Sequence, residues 1–243
     1  MAEETIRVGV AGAHGRLGRI ACAALNAAPG LSLVAGFVRS VAAGAGELAL
    51  FDDLGAFYAA GMDVVVDCTV YPVSLDVARS AIDAGVAPVI GATGWADADV
   101  ADFGKRCDAA AIGALLVPNF SVGAALMMRF AAEAVTFMPH VEIIELHHDG
   151  KRDKPSGTAR LTARRITAAG GPATVPVHSV RLPGLVAHQE IIFGGTGETL
   201  TIRHDSMGHA AYAAGIVLAV RSVRAQRGLV NGLDALLFAQ RTA

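Results

Sequence analysis

Four short apolar runs recur in the first hundred residues: IRVGVA (6–11), LSLVAGFV (31–38), MDVVVDCT (62–69) and APVIGATG (87–94). Runs this apolar suit strands buried on both faces, as in a parallel sheet. A helical pattern, GAHGRLGRIACAALNA, follows the first, and PVSLDVARSAIDAG fills the gap between the third and fourth. Strands alternating with helices predict an α/β fold with a doubly wound parallel sheet.

The first strand runs into Gly12, Gly15 and Gly18. Glycines at such a turn let backbone N–H groups approach a pyrophosphate, and the following helix points its positive end at the same anion. The spacing is GxxGxxG, not the standard GxGxxG, so the strand before it and the helix after it carry the case for a dinucleotide site. The alternative is a glycine-rich turn without a ligand. An NAD site places an acid at the end of the second strand to hold the ribose hydroxyls. Here Val38, Arg39 and Ser40 stand there without an acid. Arg39, with Ser40 and Arg16, suits a 2′-phosphate, so NADPH is the expected cofactor and NADH the alternative. The plainer reading of Arg39 is a solvated loop residue.

Hydrophobic residues make up 53% of the 243 and charged residues 17%, enough for a sizeable core and too apolar for disorder. A formal charge of −2 offers no attraction to nucleic acid or an anionic membrane, so neither is an expected partner. Cys22, Cys68 and Cys107 lack metal-ligand spacing, so no metal is expected and the thiols suit a reducing compartment. MAEETIRVGV is acidic and runs straight into a strand, which predicts no signal peptide and a cytoplasmic location. Residues 109–128 are nearly uncharged, yet Pro118, Asn119 and Ser121 divide them into a buried strand and an amphipathic helix.

The domain boundary is expected there: residues 1–118 form the dinucleotide-binding domain, 119–208 a substrate-binding and oligomerisation domain, and 209–243 pack back on the first. HQEIIFGG and GETLTIRHD alternate about Gly195-Thr196-Gly197 as a hairpin should. With VEIIELH this hairpin is expected to leave an open sheet face rich in Ile, Leu and Phe, in need of cover. HAAYAAGIVLAVRSVRAQRG (209–228) predicts one helix, and LVNGLDALLFAQ is apolar enough to dock on the core.

Charge concentrates in ELHHDGKRDKPSGTA (145–159). VEIIELHH alternates as a strand, so His147 and His148 face opposite ways and differ in role. After the loop DGKRDK, small and polar residues open a helix whose first N–H groups, at Gly157 and Thr158, suit a carboxylate. Lys151 can add a full positive charge. Ser156 and Thr158 also suit plain helix caps. Together the cluster suits a small dianion that receives a proton.

The motif E-x-H-H-x-x-K-x-D-x-P-S-G-T-A closely resembles the signature of the dihydrodipicolinate reductase family. The resemblance extends to VAGAHGRLGR, VIGATGW (89–95), PNFSVGA (118–124) and VRLPGLVAHQEIIFGGTGETLTIRHDS (180–206). It implies reduction of 4-hydroxy-tetrahydrodipicolinate, a small dicarboxylate of diaminopimelate and lysine biosynthesis. It further implies a Rossmann domain, an α+β domain carrying an open mixed sheet, and a homotetramer. By the same resemblance His147 is the general acid, with catalytic Lys151, while His148, Gly157 and Thr158 bind substrate. Gly12, Ala13, His14, Gly15, Arg16, Leu17, Arg39, Gly91, Ala92, Thr93, Val117, Pro118, Asn119 and Phe120 fall where the family contacts its nicotinamide cofactor. Val38 replaces an acid that many members carry, Tyr71, Ala92 and His209 are further departures, and the connector GGPATVP (170–176) is short. The competing readings are a related two-domain reductase or amino-acid dehydrogenase, and a nucleotide-binding protein without chemistry.

Overall fold

The structure, a computed structural model, describes residues 5–41 and 48–238; the first residues of the acidic start and the end of LVNGLDALLFAQ lie outside the described residues. Two compact units divide the chain, Met1–Phe120 with Tyr212–Ala243, and Ser121–Ala211.

The first unit alternates as its apolar runs predict: β1 (Ile6–Ala11), α1 (Arg16–Ala27), β2 (Leu31–Phe37), β3 (Ala49–Phe51), α2 (Leu54–Ala59), β4 (Val64–Asp67), α3 (Val73–Asp83), β5 (Ala87–Ile90), α4 (Asp97–Ala110) and β6 (Ala114–Leu116). The second unit holds α5 (Val122–Ala134), β7 (His140–His147), α6 (Gly157–Ala168), β8 (Val177–Arg181), β9 (Ala187–Gly195) and β10 (Glu198–Ser206). The chain then adds α7 (Ala213–Val223), β11 (Leu229–Asn231) and α8 (Asp234–Phe238) to the first unit.

The first unit's sheet has seven parallel strands in the order β11-β6-β5-β4-β1-β2-β3. Its central strands are buried on both faces: Val8, Val10, Val64, Val65, Val66, Val89 and Ile90 expose nothing. The strand order reverses at β1 and β4, and at such a switch point the loops part to leave a crevice at the carboxyl ends.

Two expectations need correction here. The helix over 209–228 is shorter, because His209–Tyr212 is a 3₁₀ turn and the helix ends at Val223. Its Gly215 lies against the Phe120 carbonyl, where a Cβ would collide. The last apolar segment does more than dock, since Leu229–Asn231 pairs with β6 as a seventh parallel strand.

The second unit's sheet is mixed, in the order β10-β9-β7-β8, with β7 and β8 parallel and the other pairs antiparallel. Helices α5 and α6 cover one face. Met127, Met128 and Ile166 pack there against Ile143, Ile191 and Phe193. Each fully buried side chain of this size contributes about 1.5–3 kcal/mol. The other face differs from the expectation. Phe193 is on the covered side, and the open side mixes Ile144, Leu146 and Ile192 with ion pairs of Arg203 to Glu190 and Asp205, and of Asp205 to His188. Period-two alternation separates two faces without saying which one the helices cover.

Candidate active site

In the first unit the glycine loop is tied to the end of β2: the N–H groups of Gly12 and Ala13 donate to the Phe37 carbonyl at 2.8 and 3.3 Å. That places the loop two residues from Arg39. Gly12 takes a φ of +77°, which a side chain rarely adopts, and Gly18 lies so close to the Gly12 carbonyl that a Cβ would collide. Helix α1 begins without a side-chain cap and without an acid in its first turn. Its leading N–H groups are thus left to an outside acceptor, with Arg16 and Arg39 exposed nearby in the chain. This cradle fits the pyrophosphate of a dinucleotide.

Three stretches singled out in the sequence converge beside it. A Cβ on Gly91 would meet the Phe120 ring at 2.7 Å, the Asp67 carbonyl at 3.0 Å and the Leu17 side chain at 3.3 Å. The Val117 N–H donates to the Ile90 carbonyl at 2.7 Å. Ala13, Ala92, Val117 and Phe120 are buried, while His14, Thr93 and Pro118 are exposed and Asn119 is half-buried.

The charged cluster stands at the carboxyl end of β7. Alternation puts Ile143, Glu145 and His147 on the covered face and sends His148 out to solvent. Glu145 and His147, two residues apart on one face, meet directly, Oε2 against Nδ1. Glu145 is fully buried. In the parallel pairing Ser179 lies opposite Glu145 and Arg181 opposite His147. The Arg181 guanidinium donates to both Glu145 oxygens, at 2.6 and 3.0 Å. It also reaches the carbonyls of Val180 (2.7 Å), Asp153 (2.7 Å) and Lys151 (3.3 Å). The Ser156 N–H donates to Glu145 Oε1 at 3.3 Å, which fastens the start of α6 to the same carboxylate.

Burial alone would push the Glu145 carboxyl up; hydrogen bonds from Arg181, Ser179 and His147 outweigh it and hold the group below the ordinary carboxylate value. Burial pushes His147 below the ordinary histidine value, with Glu145 opposing and Lys151 and Arg181 assisting. An ionised carboxylate only accepts, so Nδ1 keeps its hydrogen in both charge states and Nε2 is the nitrogen that gains and loses a proton.

Lys151 is not an isolated cation: its Nζ pairs with Asp153 at 2.8 Å. Ser156 caps α6 by accepting from the Ala159 N–H at 3.1 Å. Gly157 is exposed and Thr158 half-buried at the first two helical positions. Sequence reasoning singled out neither Glu145 as a partner of His147 nor Arg181. The i, i+2 spacing of Glu145 and His147 on a strand was the available signal for the first; Arg181 joins only through strand pairing.

Family models for the dihydrodipicolinate reductase N-terminus and C-terminus match residues 6–120 and 123–237. The chain is 42% identical over 262 residues to the 4-hydroxy-tetrahydrodipicolinate reductase of Moorella thermoacetica, covering 96% of this chain and 98% of that one. It is also 42% identical over 256 residues to that of Nocardia farcinica, covering 96% and 99%. Among solved structures, dipicolinate-bound dihydrodipicolinate reductase from Paenisporosarcina sp. TG-14 superposes with a TM-score of 0.87 at 33% identity, covering 95% of this chain and 99% of that one. Scyllo-inositol dehydrogenase from Lactobacillus casei, at 14% identity and a TM-score of 0.70 over 96% and 93% of the two chains, shares the fold alone. Matched over nearly its whole length by both family models and by relatives above 40% identity, this chain belongs to the dihydrodipicolinate reductase family.

Proposed function

We propose that this chain reduces 4-hydroxy-tetrahydrodipicolinate to tetrahydrodipicolinate with a reduced nicotinamide cofactor, in diaminopimelate and lysine biosynthesis. The observation that carries this reading is the Glu145–His147 pair beside Lys151 and the start of α6, on a chain that matches the family end to end. When bound, the cofactor supplies the hydride. The glycine cradle of residues 12–18 and the stretches at 91–93 and 117–120 bind and orient it. Arg39 and Arg16 select the 2′-phosphate, so NADPH is preferred over NADH.

The substrate's carboxylates are bound by Lys151, His148 and the N–H groups of Gly157 and Thr158. The substrate's 4-hydroxyl leaves as water, which gives a conjugated imine; as hydride reaches that ring carbon and negative charge builds on its neighbour, His147 delivers the Nε2 proton there. Glu145 stays ionised throughout, because Arg181 and the resulting imidazole hydrogen bond both favour its anion. Because burial lowers the His147 pKa, the bound dianion helps keep the ring protonated at working pH.

The protein acts in the cytoplasm as a homotetramer, on the strength of the family resemblance and of apolar Ile144, Leu146 and Ile192 on the open sheet face. Among the described residues no helix is long and apolar enough to cross a membrane. The test is oxidation of NADPH that depends on freshly made 4-hydroxy-tetrahydrodipicolinate. Turnover with that substrate supports the reading; turnover only with another imine or keto acid assigns the chain to a related reductase, and binding without turnover overturns the enzyme assignment.

A further inference from the structure

Arg181 spends its five donors on five acceptors that have no common sequence origin: two Glu145 oxygens and the carbonyls of Val180, Lys151 and Asp153. Its side chain is 5% exposed. A buried ion pair is weak evidence for stability, since apolar packing commonly does as well. This one joins the nitrogen opposite the proton-donating atom to the backbone that carries the substrate lysine.

We propose that Glu145 and Arg181 are positioning residues for the reaction: Arg181 clamps the Glu145 carboxylate, Glu145 holds the Nδ1 edge of His147 so that Nε2 serves the substrate, and the same guanidinium anchors the backbone at Lys151 and Asp153. The proposal rests on the reading of His147 as proton donor. It assigns two separable duties to one side chain. Through Glu145, Arg181 governs the orientation and protonation of the ring; through the loop carbonyls it governs where the lysine ammonium stands.

The charged groups that face His147 are Glu145 on its own strand, Arg181 on β8 and Lys151 in the loop. Glu145 favours the charged ring, and the two cations oppose it. Removing Glu145's charge and removing Arg181's charge must therefore move the His147 titration in opposite directions, while the lost anchoring of the Lys151 and Asp153 carbonyls reads separately as a raised KM.

The test is an NMR titration of the His147 imidazole in the ligand-free full-length chain, with kcat/KM measured against pH on the same proteins. Glu145→Gln is expected to lower the titration midpoint by about 1–3 pH units, with the alkaline limb of kcat/KM following it. Arg181→Met is expected to raise the midpoint and to raise KM. Arg181→Lys restores the charge without the fork, so the midpoint returns toward the parent value while KM stays raised. Unmoved midpoints in Glu145→Gln and Arg181→Met, or midpoints moved the same way, overturn the proposal. Should Arg181→Met not fold, an unmoved midpoint in Glu145→Gln or a parental KM in Arg181→Lys overturns it equally. Failure of the underlying reading has its own signature, a His147→Gln protein with full kcat whatever the midpoints do.

Discussion

Asp67 and Glu145 are both fully buried carboxylates near the carboxyl ends of sheet strands, one in each unit, and they are held in opposite ways. Asp67 accepts from neutral donors only: the Thr69 N–H at 2.9 Å, the Thr69 hydroxyl at 2.6 Å and the Ser74 hydroxyl. Ser74 in turn accepts from Trp95 Nε1 at 3.0 Å, so the carboxylate pins the loop after β5. Burial pushes the Asp67 carboxyl up, and its hydrogen bonds only partly oppose that. Glu145 faces a guanidinium and an imidazole, and its net shift is downward. A buried acid that only organises loops can be satisfied by hydroxyls; one that must stay ionised beside a proton donor needs a cation.

Disabling the proton donor beside Glu145 and the carboxylate of Asp67 in turn separates the two sites most widely. His147→Gln should cut kcat by about 10²–10⁴-fold, the usual contribution of a general acid, with KM nearly unchanged. Asp67→Asn should leave the pH dependence of kcat unaltered, and a shifted alkaline limb there would merge the two sites into one.

Stability offers the next contrast, read by urea denaturation at neutral pH. Glu145→Gln leaves Arg181 buried without its counter-charge and should cost about 3–5 kcal/mol. Asp67→Asn keeps an acceptor for Thr69 and should stay within about 1 kcal/mol. The pH dependences have opposite signs. Glu145, held below its ordinary value, contributes stability above about pH 4.3 that is lost as pH falls through its folded value. Asp67, held above its ordinary value, costs stability that sets in as pH rises past about 3.9. The deficit of Glu145→Gln should therefore shrink in acid.

Smaller effects sharpen the binding roles. Lys151→Ala should raise KM about tenfold to a hundredfold and also lower kcat, since the ammonium binds ground and transition states alike. Arg39→Ala should erase most of an NADPH preference of about tenfold to a hundredfold, measured by fluorescence titration of both reduced cofactors. Equal affinities in the parent protein would remove the 2′-phosphate role.

Local periodicity carried much of this molecule. The apolar runs became parallel strands, and the alternation of VEIIELHH separated His147 from His148 as it stands in the structure. The partners of His147 were harder to see. Arg181 lies in a short strand 34 residues downstream by number, and only the parallel register of β7 with β8 brings it opposite. The open sheet face holds the expected Ile144, Leu146 and Ile192 but not Phe193, since the covering helices decide which half of an alternating strand is buried. Leu229–Asn231 was too short for any period to register as a strand, and a three-residue element owes its existence to the edge of β6 waiting for it.

In the proposed reaction the Nε2 proton of His147 is the one delivered to the substrate. The most direct measurement is kcat/KM against pH, at saturating NADPH, for the parent protein and for His147→Gln. The parent should lose activity as pH rises through a value below the ordinary histidine value of about 6.5, as the burial of this ring requires. In His147→Gln that limb should be gone and the remaining rate flat through the same range. The same limb persisting in His147→Gln, at an undiminished rate, would contradict the account.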